Sequence, residues 1–511
     1  MLAAVLAVVI THAHALTLAP AQPVASALAI VDGKIAYAGD DEAAARRAAG
    51  PGAEILDVGG RTIVPGFNDA HVHFGLSITL GGALGIYVPE LPRKQWLAAI
   101  VDGARGRPAG QWLFITTPML PPDVTKGSQL DFLGRPVFVV TKRGALVNHR
   151  AMAAAHITSQ LAPDGLIPGR VINDGLNRAL HAQPAHVLID GARAFLAELA
   201  RLGITSAQLI CDELPELFDG LRKAGELTAR VRFVPFGFRF DNPIYHSDWH
   251  GEAPEWVRVD GVKYFHDDWA RMSRYELQLV YDSVSKANRR VVLHVLSKHS
   301  LKTLLDAIER LSKDAPEKAR LFRVDHADEV GKPEADRLAK LGIIVCSNPS
   351  MIPEWRSDTA FPMRTLAAAG VRTCIGTDWL GRHVPPRTLS PLESMQLAVT
   401  HGGFGTVERI DSAQALEAYT VGSAAGEGME AEKGTLAPGM LADLVVLSAD
   451  PTAVAPNEIG SIEVLLTMVG GRVVYRRGGF GAPPPSSIGA PRPAPPPTIG
   501  PVRPAPPSKN H

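Results

Sequence analysis

Three cysteines in 511 residues are too few and too widely spaced for a disulfide framework or a thiolate zinc site. Cys211, Cys346 and Cys374 sit in separate apolar runs, which points to reduced core residues and a reducing, cytoplasmic compartment. Charge of one sign is also lacking, since 52 basic residues balance 52 acidic ones. A neutral chain without a basic cluster has nothing to attract nucleic acid or an anionic membrane. No apolar stretch reaches the ~20 residues that span a bilayer, so a soluble protein with a small-molecule substrate is expected. Self-association, as a homo-oligomer, is left open. Glycine-rich phosphate loops are missing, and so is the G-x-S-x-G elbow of serine hydrolases.

The opening MLAAVLAVVITHAHA imitates an export signal, but no Lys or Arg precedes its apolar run. It flows into LTLAPAQPVASALAIVDGKIAYAG, which alternates as paired strands around an Asp32-Gly33 turn. Export through a degenerate signal is therefore the weaker alternative. The rest of the chain divides by pattern. Short alternating strands occupy 1–62 and recur over 431–477, and neither set buries a face alone, so both ends should form one small β-sandwich. Between them, over 63–430, apolar strands alternate with amphipathic helices. Eight strand candidates can be counted: TIVPGFNDAHVHF, GITSAQLI, VRFVPFGF, GVKYFH, RVVLHV, LFRVDHA, GIIVCSNP and VRTCIGTD. Eight parallel strands predict an α/β fold, a (β/α)8 TIM barrel. The first two candidates lie too far apart for one βα unit, so an inserted α/β lid is expected over about 75–200, with PVFVVT as its one clear strand. Twelve prolines in 481–511 predict a disordered or polyproline tail over 478–511.

The chemistry is concentrated at the predicted strand ends. In Pro65-Gly66-Phe67-Asn68-Asp69-Ala70-His71-Val72-His73, residues i and i+2 of a strand share a face, so both imidazoles project together. Two neutral imidazoles on one face are half a zinc site; taken alone they are also compatible with histidines satisfied by backbone. Later strands add Lys263 in GVKYFH, His294 in VVLHV, His326 in FRVDHA and Asp378 in CIGTD. Barrel strands converge at their C-terminal ends, so residues hundreds apart in sequence can share one metal.

In these segments the chain resembles the amidohydrolase superfamily, specifically the family 3 branch, a YtcJ-like group that includes N-substituted formamide deformylases. The matching stretches include GGRTIVPGFNDAHVHF, LVNHRAM, DGLIPGRV, GVKYF, VVLHVLS, VDHADE, IGTDW and AYTVGSAAGEGMEAEKGTLAPGMLADLVVLSADP, covering residues 17 to about 476. The resemblance implies that His71 and His73 bind one zinc ion and His294 and His326 a second. Lys263, carboxylated on its amine, would bridge the two. An ammonium has no lone pair, so only the carboxylated form could ligate a cation; a plain salt-bridged barrel lysine is the alternative. Asp378 would bind metal and carry protons, with His294 and Lys263 completing the catalytic set. The His266-Asp267-Asp268 run departs from the Ala-Asp-Gly expected after the lysine, and these residues could bind substrate or supply another ligand.

Arg143 occupies a slot where relatives commonly carry histidine, and it would either clamp a substrate carboxylate or lie exposed on the lid. Asn348 at the seventh strand end is a pocket candidate, with His383 a weaker one. Hydrolysis of an amide, formamide or carbamate C–N bond is the expected activity. The alternatives are ester hydrolysis, dehydration or isomerisation at the same metals, or a catalytically silent ligand-binding barrel.

Overall fold

The computed structural model describes residues 7–80, 84–141, 143–238, 249, 251–259, 261–267, 271–287, 289–380, 388–478 and 480. The proline-rich tail, Asp268 and His383 lie outside the described residues.

Both chain ends enter one β-sandwich. Its first sheet runs Lys34–Gly39, Ala27–Val31, Val8–Thr11, Glu54–Asp57, and its second runs Arg472–Arg476, Val464–Val469, Leu444–Leu447, Thr62–Pro65, His14–Leu16, Val24–Ala25. The joint between the ends is the antiparallel register Leu444 to Pro65 through Leu447 to Thr62. Val8, Ile10, Leu28, Ile30 and Ile63 pack against Leu444, Val446, Leu466 and Met468, so neither end could close this core alone. Part of the signal-like opening is thereby a buried strand, Val8–Thr11.

The first candidate strand divides in two, with Thr62–Pro65 in the sandwich and Phe67–Val72 in the barrel. Gly66 is the joint, because a Cβ there would stand 2.0 Å from Thr205 Oγ1. The barrel strands are β1 (Phe67–Val72), β2 (Ile204–Ile210), β3 (Arg230–Val234), β4 (Val262–Phe265), β5 (Val291–Val295), β6 (Phe322–His326), β7 (Ile344–Ser347) and β8 (Thr373–Ile375). Parallel ladders join β1 to β2 to β3, and β4 through β8. Backbone hydrogen bonds cross the two remaining seams. Lys263 N donates to Pro235 O and Gly237 N to Lys263 O, both at 2.8 Å, while Asp378 N donates to His71 O at 2.7 Å. The ring of eight is thus complete.

Between β1 and β2 the insertion carries a five-stranded sheet, where sequence reading picked out one strand. Its order is Leu166–Pro168, Gly144–Val147, Val137–Thr141, Leu113–Thr116, Gly85–Tyr87. Trp96, Ile100, Leu113, Ile115, Val137, Val139 and Leu146 give it a core of its own. Strands of three to five residues show too few alternations for a period of two to stand out. The helix Ala185–Arg201 then returns to the barrel, burying Leu188, Ala192, Phe195 and Leu199 on one stripe. Among the described residues no helix is long and apolar enough to cross a membrane.

Candidate metal centre

Barrel interiors are usually filled by branched apolar side chains, but this one carries charge on one side. On β6, Phe322 and Val324 pack outward among the helices, so alternation turns Arg323 and Asp325 inward. His326 would then face outward. Its backbone adopts φ 76°, a left-handed conformation uncommon for a residue with a side chain, and its ring instead meets His71 at 5.0 Å and His294 at 4.4 Å between centroids. Asp378, φ 48°, and Cys211, φ 64°, share this conformation after β8 and β2. Such backbone strain clusters at functional sites because the surroundings must hold it in place.

His71 Nε2 and His73 Nε2 are 3.3 Å apart, and Asp378 Oδ1 lies 3.1 Å from His73 Nε2 and 3.4 Å from His71 Nε2. The far side of each ring decides what these atoms carry. Asp325 Oδ2 is 2.7 Å from His71 Nδ1, and Ile210 O is 2.8 Å from His73 Nδ1. His73 Nδ1 hydrogen-bonds Ile210 O, so its proton belongs there and its Nε2 presents a lone pair; the Asp325 carboxylate, close to His71 Nδ1 though not in line for a hydrogen bond, favours the same tautomer of His71 through its charge. Burial, reinforced by the Lys263 charge, lowers the His71 pKa to about 4. Burial also carries His294 and His326 well below the usual histidine range, aided by His326 in the first case and His71 in the second. Neutral imidazoles are the form that binds metal.

Two lone pairs and a carboxylate oxygen therefore converge with no proton among them, an arrangement that repels itself unless a cation sits within. Its size also fits. With Zn–N and Zn–O bonds of about 2.0–2.1 Å, the edges of a tetrahedron around zinc are roughly 3.3–3.4 Å. A second acceptor stands nearby, since buried His326 Nδ1 has no hydrogen-bond partner among the described residues.

Below these rings lies a charged hub. Asp325 Oδ2 accepts from Lys263 Nζ at 2.9 Å, and Arg323 donates to Oδ1 at 2.7 Å and to Oδ2 at 3.1 Å. Burial alone would raise the Asp325 pKa, but Arg323, Lys263 and His71 hold its carboxyl well below the carboxylate range. Two further acids brace the ligands. Asp69 accepts from Thr377 Oγ1 at 2.6 Å, Thr377 N at 3.0 Å and His71 N at 3.1 Å, tying β1 to the turn that carries Asp378. Asp212 accepts from Phe74 N at 2.8 Å and Gly75 N at 2.9 Å, fixing the chain just beyond His73.

Of the residues singled out from sequence, His71, His73 and Asp378 form the tight cluster, His294 and His326 stand beside it, and Lys263 lies beneath. Asp267 Oδ2 is 3.8 Å from His294 Nε2 and accepts from Leu296 N at 3.1 Å. Asn348 Nδ2 donates to Gly376 O at 2.8 Å, and its buried Oδ1 has no partner among the described residues. His266 is not brought to the cluster, because its Nε2 meets Thr303 Oγ1 at 3.1 Å on the helix Lys298–Leu311. Arg143 is exposed on the insertion hairpin that joins Val137–Thr141 to Gly144–Val147. Sequence reading passed over Arg323, Asp325, Asp69 and Asp212. A signal existed for the first two, since charges at i and i+2 in an otherwise apolar strand require a partner inside. Beside the ligands lies an apolar cluster: Ile210, Val234, Phe236 and Phe265 pack together, and Phe265 lies 4.7 Å from the His294 ring.

A family model described as the amidohydrolase family matches residues 54–475. The chain belongs to the amidohydrolase family. It is 24% identical to the N-substituted formamide deformylase of Arthrobacter pascens, over 92% of this chain and 98% of that one. It is also 24% identical to the protein YtcJ of Bacillus subtilis, strain 168, over 88% of this chain and 96% of the relative. Among solved structures, an uncharacterized metal-dependent hydrolase from Pyrococcus horikoshii superposes with a TM-score of 0.67 at 19% identity, covering 88% of this chain and 99% of that one. Family and fold together make this amidohydrolase a hydrolytic enzyme on an α/β barrel.

Proposed function

We propose that this amidohydrolase is a zinc enzyme that hydrolyses a C–N bond of an amide, formamide or carbamate. The observation that carries the reading is the convergence of His71 Nε2, His73 Nε2 and Asp378 Oδ1 within 3.4 Å, with an oxygen beside the far nitrogen of each ring. His294 and His326 are the ligands proposed for a second ion, with Lys263 carboxylated between the two. A carbamate nitrogen keeps one N–H, so Lys263 in that form would still donate to Asp325. When bound, zinc supplies Lewis acidity toward water and toward a carbonyl oxygen.

The chain's own groups then divide the remaining work. Asp378 takes the proton from the attacking water on a carboxylate oxygen and returns it to the leaving nitrogen, so the amine departs neutral. Asp325 and Ile210 O hold the two imidazoles in the tautomer that faces the ion. The apolar wall of Ile210, Phe236 and Phe265 receives the hydrophobic part of the substrate and keeps bulk water from that side. A formamide substrate agrees with the activity in the name of the Arthrobacter relative. Asn348, through an Oδ1 with no partner among the described residues, and Asp267 are the proposed polar contacts to substrate. Arg143 and His266 remain weaker proposals because of where their side chains lie.

The test is metal content together with amine release. The expected result is about two zinc ions per chain, activity on at least one N-substituted amide or formamide, loss on chelation and recovery with zinc. A metal-free protein that is inert across amides, formamides, carbamates and esters would sink the proposal. Turnover of esters alone would move the chemistry to the alternative class.

A further inference from the structure

Asp325 stands outside the ligand set proposed above, yet it contacts two members of the centre at once. One oxygen, Oδ2, faces His71 Nδ1 of β1 at 2.7 Å and Lys263 Nζ of β4 at 2.9 Å, so a single atom joins residues from opposite sides of the ring. Arg323 grips both oxygens from within the same strand. Arg323 is itself anchored on all sides, with Nη2 donating to Ala70 O at 3.1 Å, beside His71, and Nη1 donating to Gln208 Oε1. All of these side chains are buried.

We infer that the Arg323-Asp325 pair is the positioning device of the metal centre, with Asp325 setting the orientation and tautomer of His71 and the place of the Lys263 nitrogen. The inference rests on the metal reading above. A carboxylate beside the distal nitrogen of a ligating histidine fixes which nitrogen is bare and raises its basicity. Here the same oxygen also receives the group proposed to bridge the second ion, so one substitution should loosen both positions together. Asp325 acts through His71 and Lys263, both of which it contacts directly.

The experiment is zinc retention by full-length Asp325→Asn in competition with a chelator, alongside kcat/KM at rising free zinc. Asparagine keeps the shape but offers one acceptor oxygen to three donors. The expected result is zinc binding weakened about 10- to 100-fold, for both equivalents, with most of the activity regained in excess zinc. Should Asp325→Asn fail to fold, Asp325→Glu is read in the same way, because it retains the buried charge and displaces the oxygen by one methylene. Zinc affinity within twofold of wild type in the folded variant would overturn the inference, as would a loss of activity that excess zinc does not restore. A wild-type protein that binds no zinc would instead overturn the metal reading, so the two failures can be told apart.

Discussion

Asp378→Asn is the sharpest perturbation of the centre, because it changes one atom's role and almost nothing of the shape. In the metal-free protein, Asp378 Oδ1 faces two imidazole lone pairs at 3.1 and 3.4 Å. An amide N–H in that place would donate to one of them, replacing a repulsive contact with a hydrogen bond worth ~1 kcal/mol. A chain of this size unfolds with an entropy of roughly 1 kcal/mol per kelvin, so the metal-free melting temperature should rise by about 1 °C. With zinc present the sign reverses, since the variant has lost an anionic ligand. The amide also cannot carry a proton, and loss of a general acid-base group costs ~10²- to 10⁴-fold in rate, or ~3–5 kcal/mol of barrier. The assay is kcat/KM at matched zinc occupancy, fixed by elemental analysis, together with melts in chelator and in zinc. An Asp378→Asn enzyme within tenfold of wild type at equal occupancy would refute the proton-carrying role. A chelated variant melting several degrees lower would refute the lone-pair argument.

Burial pushes Asp69 up to about 7 and Asp212 up to about 6, with hydrogen-bond donors opposing the shift in each case. The folded state therefore holds two protons that the unfolded chain releases near pH 4, a contribution that falls as pH rises from about 4 through 7; the buried neutral imidazoles of His71, His294 and His326 contribute in the opposite sense, so the carboxyl contribution is read as a difference between wild type and variant. Paired melts across that range should show Asp212→Asn gaining stability relative to wild type between about pH 4 and 6; a difference that does not change with pH would count against the assignment. Gly376→Ala would set a Cβ 2.4 Å from His71 Cβ and 2.5 Å from His71 N, forcing β8 away from β1. A destabilisation of ~1–3 kcal/mol with weakened zinc binding is expected, measured by denaturant titration and metal analysis.

The legible parts of the sequence were those where geometry is local. His71 and His73 could be paired from their spacing because a strand repeats every two residues, and the eight strand candidates were apolar enough to be recognised. His326 was legible as a residue, but strict alternation would have turned its ring outward; only the left-handed backbone brings it to His71 and His294. Arg323 and Asp325 carried a local sign of buried partners, two charges in an apolar strand, but which groups of β1, β2 and β4 they meet is set only by the fold. Asp69 and Asp212 receive mostly backbone N–H groups, and acceptors of that kind leave no mark in composition. The insertion sheet was under-read for a different reason, namely strand length.

The register that sets Thr62–Pro65 against Leu444–Leu447 also has a bearing on biosynthesis. At 5–20 residues per second, the roughly 380 residues separating those partners take about 20–75 s to translate. Until then the N-terminal apolar strands have no permanent cover, and a nascent chain of this enzyme is expected to depend on a holding chaperone through most of its synthesis.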